Sequence, residues 1–194
     1  PEVELVYWDY YDDSEEHYNH FLKKHMQFHN PIVFAGGLWT WISPAMHNGE
    51  AFRNSIPALK QCRSCGIKEV FCTLWGDNGA EADMRSALLA MQLYAEYGYS
   101  GEVEMAKVYT RFKECVFENA EDFLSISWMD VITEPKADGL PPMEDSNFTK
   151  YLLYQDVLLG LFDKDIESID FTAHYTALEK RYAMAAKRSG TLAG

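Results

Sequence analysis

Basic residues are scarce in this chain of 194 residues: 17 Lys and Arg stand against 30 Asp and Glu, a net charge of −13. No stretch is basic enough to neutralise phosphates, which argues against nucleic acid and anionic membrane surfaces as partners. The acidity is spread over both halves rather than gathered in a tail, so it suits solubility and names no partner. Long apolar runs are lacking too. The run from Tyr151 to Phe162 is interrupted by Gln155 and Asp156 and is too short to span a bilayer, so no transmembrane helix is expected. The first 20 residues hold acidic side chains and neither Lys nor Arg, the reverse of the charged start of an export signal. This favours the cytoplasm only slightly. With Pro1 where a Met would begin a complete protein, the chain is consistent with a piece of something longer.

Cysteine is also sparse, with 4 in the chain, too few for a disulfide scaffold. Cys62 and Cys65 have a suggestive spacing, but they fall at the end of a helical pattern, just before Gly66. A redox pair needs its first thiol at a helix start, where the dipole lowers the pKa. Cys72 and Cys115 do not complete a zinc pattern. The expectation is ordinary reduced thiols.

What is present alternates between strand and helix signals through the first half. Val3 to Tyr11 is rich in β-branched and aromatic residues, as a buried strand should be. Asp13 with Glu16 forms a capping-box arrangement that opens a helix to about His29, and Pro31 stops it. Ile32 to Ala35 is a second strand ending at Gly36-Gly37. A helix from about Glu50 to Cys65 follows, with Gly66 as its cap. Ile67 to Leu74 is a third strand, and about Asp83 to Tyr97 a third helix. Three such units in succession argue for parallel strands joined by right-handed crossovers, an α/β organisation.

From Gly98 onward the apolar positions recur at helical spacing, so residues 98–194 are expected to form a mostly α-helical region after an α/β region at 1–97. Met105, Val108 or Tyr109, Phe112 and Val116 make one stripe; Phe171, Tyr175, Leu178, Tyr182 and Ala185 make another. A loop with several prolines and Gly139 over 133–147, then a helix around 148–159, separates them.

In parallel α/β folds, ligand sites sit at the C-terminal ends of the strands. There the sequence places Trp8, Asp9, Tyr10, Tyr11 and Asp12; then Trp39 and Trp41; then Trp75, Asp77, Asn78 and Glu81. Indole faces stack on the C–H faces of sugars, and carboxylates accept from their hydroxyls, so this mouth suits a carbohydrate. Trp8 and Trp41 equally suit core or rim packing. Four histidines, His17, His20, His25 and His29, fall on the first helix. The spacing of His25 and His29 could share a metal, but no third ligand follows at a matching position, and His25 shares an apolar stripe with Tyr18, Phe21 and Leu22. No metal is expected. Nothing resembles a nucleophile elbow, a phosphate loop or a dinucleotide fingerprint, and no cofactor is expected.

The stretches LVYWDYYDDSEEHY (5–18), IVFAGGLWTWI (32–42), EVFCTLWGDNGAE (69–81) and KYLLYQDVLLGLFD (150–163) together resemble the C-terminal portion of family 20 glycoside hydrolases, the β-N-acetylhexosaminidases. The likeness is nearest to bacterial exo-acting enzymes in which a helical region follows the barrel, and WGDNGAE is its most specific motif. The resemblance implies that the strands are the sixth, seventh and eighth of a (β/α)₈ barrel. It implies substrate-assisted retention, in which the sugar's 2-acetamido oxygen attacks the anomeric carbon, an Asp orients that group and a neighbouring Glu is the general acid. The family's His-x-Gly-Gly-Asp-Glu motif is missing here, so no catalytic residue is expected in this chain, the pair would lie upstream of Pro1, and the chain alone should be inactive.

Carried over by resemblance, Tyr10, or next Tyr11, would hydrogen-bond the acetamido carbonyl. Trp39, or else Trp41, would wall the acetamido pocket. Trp75 would stack on the sugar and Asp77, standing where the family has Glu, would accept from O4 or O6. The expected ligand is an N-acetylhexosamine-terminated glycan. Unpaired strand edges would drive self-association or pairing with a missing barrel half. A non-catalytic carbohydrate- or partner-binding module is the competing reading, and a helical interaction domain on a truncated scaffold is a blander third.

Overall fold

The computed structural model describes residues 3–42, 44–131, 158, 160, 167 and 169–190. Its strands β1 (Leu5–Trp8), β2 (Ile32–Gly37) and β3 (Glu69–Thr73) form a parallel sheet in the order β1-β2-β3. The crossovers run through α1 (Glu15–Met26) and α2 (Asn48–Ser64). A 3₁₀ turn at Met84–Ala87 leads into α3 (Leu88–Ser100), and α4 (Met105–Val116), α5 (Ala120–Ile126) and α6 (Phe171–Gly190) follow. The alternation of strand and helix expected for the first half is therefore present, as is the helical character of the described part of the second. The expected loop at 133–147 lies outside the described residues, as do the helix at 148–159 and the motif at 150–163 apart from residues 158 and 160.

The ends of the elements differ from the sequence expectation for local reasons. β1 stops at Trp8 rather than running to Tyr11, because Asp9 turns the chain: its carboxylate accepts from the Tyr11 N–H at 3.3 Å. The cap of α1 is Ser14, not Asp13. The Ser14 N–H donates to the Asp12 carboxylate at 2.7 Å, which carries the loop one residue further, and Ser14 Oγ then accepts from the His17 N–H. Glu15 and Glu16 open this helix and Lys23 and Lys24 close it, each charge set where the helix dipole favours it. The helix ends at Met26, and His29 takes a left-handed backbone (φ 58°), so His25 and His29 do not share a helical face. α2 starts two residues before Glu50 because the His47 ring caps it, Nδ1 accepting the Glu50 N–H at 3.0 Å.

The core lies between the sheet and its helices. Tyr7 and Phe34 from one sheet face join Tyr18 and Leu22 of α1, Phe52 and Leu59 of α2, and Leu89 and Leu93 of α3. Val108 and Phe112, two of the stripe positions in α4, are fully buried in the same cluster. Buried Glu96 of α3 pairs with Arg111 of α4, tying the two helices together. On the other sheet face Val6, Trp8 and Phe71 remain exposed. Among the described residues β1 and β3 each pair on one side only.

Candidate functional site

The loops after the three strands converge at one end of the sheet. Period-two alternation along β1 turns Tyr7 toward α1 and Trp8 to the open face, where Trp8 stays 57% exposed. Trp75, just past β3, is 39% exposed and its ring lies 5.8 Å from that of Trp8. The Thr40 hydroxyl donates to the Trp75 carbonyl at 2.8 Å, tying the loop after β2 to the loop after β3. Asp77, two residues on, is exposed at the start of a 3₁₀ turn over Asp77–Gly79.

Behind this rim the aromatic rings bury one another. Tyr10 lies 5.8 Å from Trp8 and 4.9 Å from Trp41, and Trp41 stacks on Trp39 at 4.8 Å. Tyr11 is 64% exposed and sets its ring edge-to-face on Trp39 at 5.3 Å. Gly37 permits the assembly. A Cβ there would stand 2.6 Å from Tyr10 Cγ and 2.8 Å from Trp41 Cη2, so only glycine lets these rings reach the strand.

The structure thus brings Tyr10, Tyr11, Trp39, Trp75 and Asp77 to one end of the sheet, but in two layers. Tyr11, Trp75 and Asp77 face solvent. Tyr10 (3%) and Trp39 (2%) are buried, and the Trp39 N–H is taken by Asn54 Oδ1 at 2.7 Å. Within this chain Trp39 supports Tyr11 and Trp41 from behind, where sequence placed it as a pocket wall. Trp8, which sequence could equally assign to packing, is instead an open face; the alternation of Val6 and Trp8 against Leu5 and Tyr7 is the signal that marks it.

Sequence reasoning missed the electrostatic frame of the first loop. His17 Nε2 is 2.6 Å from Asp9 Oδ2 and Nδ1 is 3.4 Å from Asp12 Oδ2, so one imidazole bridges two carboxylates. The Tyr7 hydroxyl donates to the same Asp9 oxygen at 2.7 Å. Burial and the adjacent Asp9 push the Tyr7 phenol far above its ordinary range. Burial, then Tyr11 and Asp77, raise Tyr10 to about 12 against an opposing hydrogen bond with Trp8. No cluster among the described residues has the ligands to hold a metal ion. No helix among them is long and apolar enough to cross a membrane.

The second half carries the comparison with known proteins. Residues 121–193 match the family model of the Glycoside Hydrolase 20C C-terminal domain. No curated protein matches the chain. The matched segment includes α6 and nearly all of α5. They are joined by the Arg188–Asp122 ion pair and by the Tyr182 hydroxyl donating to the Ser125 carbonyl at 3.3 Å, and Arg181 of α6 lies 4.9 Å over the ring of Trp128 in the 3₁₀ turn after α5. It also grips the start of α2, where Asn48 Nδ2 donates to the Phe123 carbonyl at 3.0 Å. By that match the chain is related to glycoside hydrolase family 20.

Proposed function

We propose that the chain is the C-terminal part of an exo-β-N-acetylhexosaminidase and that its aromatic mouth holds a terminal β-linked N-acetylhexosamine. The observation that carries this reading is the exposed pair Trp8 and Trp75, 5.8 Å apart, beside the exposed carboxylate of Asp77. The three loops, 9–14, 38–47 and 74–83, contain neither Lys nor Arg. A phosphorylated or sulfated ligand would meet acceptors there, whereas a neutral sugar offers C–H faces to the indoles and hydroxyl donors to the carboxylate. The relationship to family 20 supports the same substrate class.

In this reading the strands are the last three of a (β/α)₈ barrel, and the open sheet face is the one the other strands would cover. Residues 1–97 close the barrel and residues 98–194 form the helical C-terminal domain. The orienting Asp and the acid Glu come from outside these residues, the sugar's acetamido oxygen is the nucleophile, and the isolated chain is inactive. Tyr11 serves the acetamido side with Tyr10 packed behind it, Trp75 and Trp8 the stacking floor, and Asp77 the O4 and O6 hydroxyls. The open edges favour pairing with the missing half or self-association.

The test is steady-state hydrolysis of an aryl N-acetyl-β-glucosaminide by the full-length protein its gene encodes, with N-acetylglucosamine binding followed by tryptophan fluorescence. Turnover with binding is expected. Binding without turnover would favour a non-catalytic carbohydrate module, and neither would overturn the sugar reading.

A further inference from the structure

Two of the site loops meet on one buried amide. Asn54, in the second turn of α2, is 1% exposed and cannot touch a ligand. Its Oδ1 accepts the Trp39 indole N–H at 2.7 Å. Its Nδ2 donates to the backbone carbonyl of Asp12 at 3.1 Å and toward Glu50 Oε1 at 3.4 Å. Only one orientation of the amide fits, because turning it over would set NH₂ against the indole N–H and an oxygen against two oxygens. Glu50 is fixed in turn by its ion pair with Arg53, both side chains nearly buried.

The two residues joined by Asn54 are the ones that need holding. Trp39 has φ 47°, a left-handed backbone that a bulky residue adopts only when its surroundings enforce it. Its backbone carbonyl accepts the His47 N–H at 3.0 Å, and the Asn54 bond fixes its ring. Asp12 closes the loop that carries Tyr10 and Tyr11, and its carbonyl also accepts the Tyr18 hydroxyl at 2.8 Å. The rings of the two loops touch at Tyr11–Trp39 and Tyr10–Trp41.

We infer that Asn54 is a positioning residue for the sugar site: through Trp39 and the Asp12 carbonyl it fixes the loop after β2 against the loop after β1, and so sets where Tyr11 stands. The inference rests on the sugar-binding reading and deepens it by assigning a residue that acts through others. Without the amide, the Trp39 N–H loses its buried partner, the indole turns to find another, and the Tyr11 ring loses the surface it leans on.

The experiment compares Asn54→Ala and Asn54→Asp with wild type in the full-length protein, reading kcat and KM on an aryl N-acetyl-β-glucosaminide and the near-ultraviolet circular dichroism of the ligand-free protein. Asn54→Ala should raise KM roughly tenfold with kcat held within about threefold, and should weaken the aromatic band from the stacked Trp39–Trp41 pair. Asn54→Asp keeps the acceptor for Trp39 but sets an oxygen against the Asp12 carbonyl; it should keep the band and still raise KM. If Asn54→Ala fails to fold, Trp39→Phe removes the same N–H while keeping a ring and should raise KM in the same way. A fall in kcat at unchanged KM marks lost folded enzyme and overturns the positioning role, as does wild-type behaviour in both variants. If wild type neither binds nor hydrolyses the sugar while Asn54→Ala still loses the band, the sugar reading falls and the hold of Asn54 on the loops stands.

Discussion

The two faces of the sheet are built from the same kinds of residue and meet different fates. On the helix side Tyr7 and Phe34 vanish under α1, α2 and α3; on the other side Val6, Trp8 and Phe71 stand in solvent. The strand register sets Trp8, Ala35 and Phe71 in one row, with exposed Trp8 and Phe71 on either side of buried Ala35. Parallel sheets are normally covered on both faces. In the proposed reading, the exposed residues of β1 and β3 mark the face that further strands would cover, and the aromatic ring at its end is where the ligand would sit.

The largest effect separates the faces by stability. Phe34→Ala should remove a fully buried ring and cost about 3–5 kcal/mol in urea unfolding of the chain. Phe71→Ala, on the open face, should cost under about 1 kcal/mol in the same chain. Equal losses would mean that the open face is covered in solution, and a mass measurement would then show by how many copies.

Next in size is a substitution that changes activity and leaves stability alone. Asp77→Ala in the full-length protein should lower kcat/KM about ten- to a hundredfold, the worth of one charge-assisted hydrogen bond of about 1.5–3 kcal/mol, with an unchanged melting temperature because Asp77 is exposed. Wild-type kinetics in a folded Asp77→Ala protein would move the O4 and O6 contacts elsewhere.

Much of this contrast was legible in the sequence, and the remainder fails for identifiable reasons. Parallel pairing and the gathering of tryptophans at strand ends follow from alternating β and α signals, because successive strand–helix units pair in parallel through crossovers. Depth within the gathering does not follow. Trp39 and Trp75 look alike in sequence, each a Trp shortly after a strand, yet one is buried because Tyr11 and Trp41 close on it and the other is open because the sheet ends beside it. The cap at Ser14 is displaced by a single side-chain bond from Asp12. His17 between Asp9 and Asp12 needs the turn after β1 to be known first, and Asn54 meets Trp39 only once α2 has packed against the loop.

A third test titrates the boundary between buried and open layers. Tyr10 in the folded protein should ionise at about 12, compared with 10.0 for a free phenol, burial being the main cause. Since the folded value lies above the unfolded one, the stability from keeping this phenol neutral is complete below pH 10 and is lost as the pH rises toward 12. Absorbance at 295 nm, wild type minus Tyr10→Phe, should show no Tyr10 step near pH 10. A step there would put Tyr10 with Tyr11 on the wet side of the site.

The smallest expected effect lies deepest on the helix side. The Cys62 thiol, on the inner face of α2, is fully buried and burial pushes it up to about 12, so it carries almost no thiolate at neutral pH. His25 lies with its ring 4.8 Å from Tyr7 and its Nδ1 2.8 Å from the Phe21 carbonyl, on the face of α1 that leans on the sheet. Neither residue belongs to the loops at the strand ends. Cys62→Ser and His25→Ala should therefore leave kcat/KM of the full-length protein within about twofold of wild type, while thiol labelling at neutral pH should modify exposed Cys115 and reach Cys62 only after unfolding. A tenfold loss of kcat/KM in either variant, with a normal melting curve, would show that the helix side reaches the sugar site by a route other than Asn54.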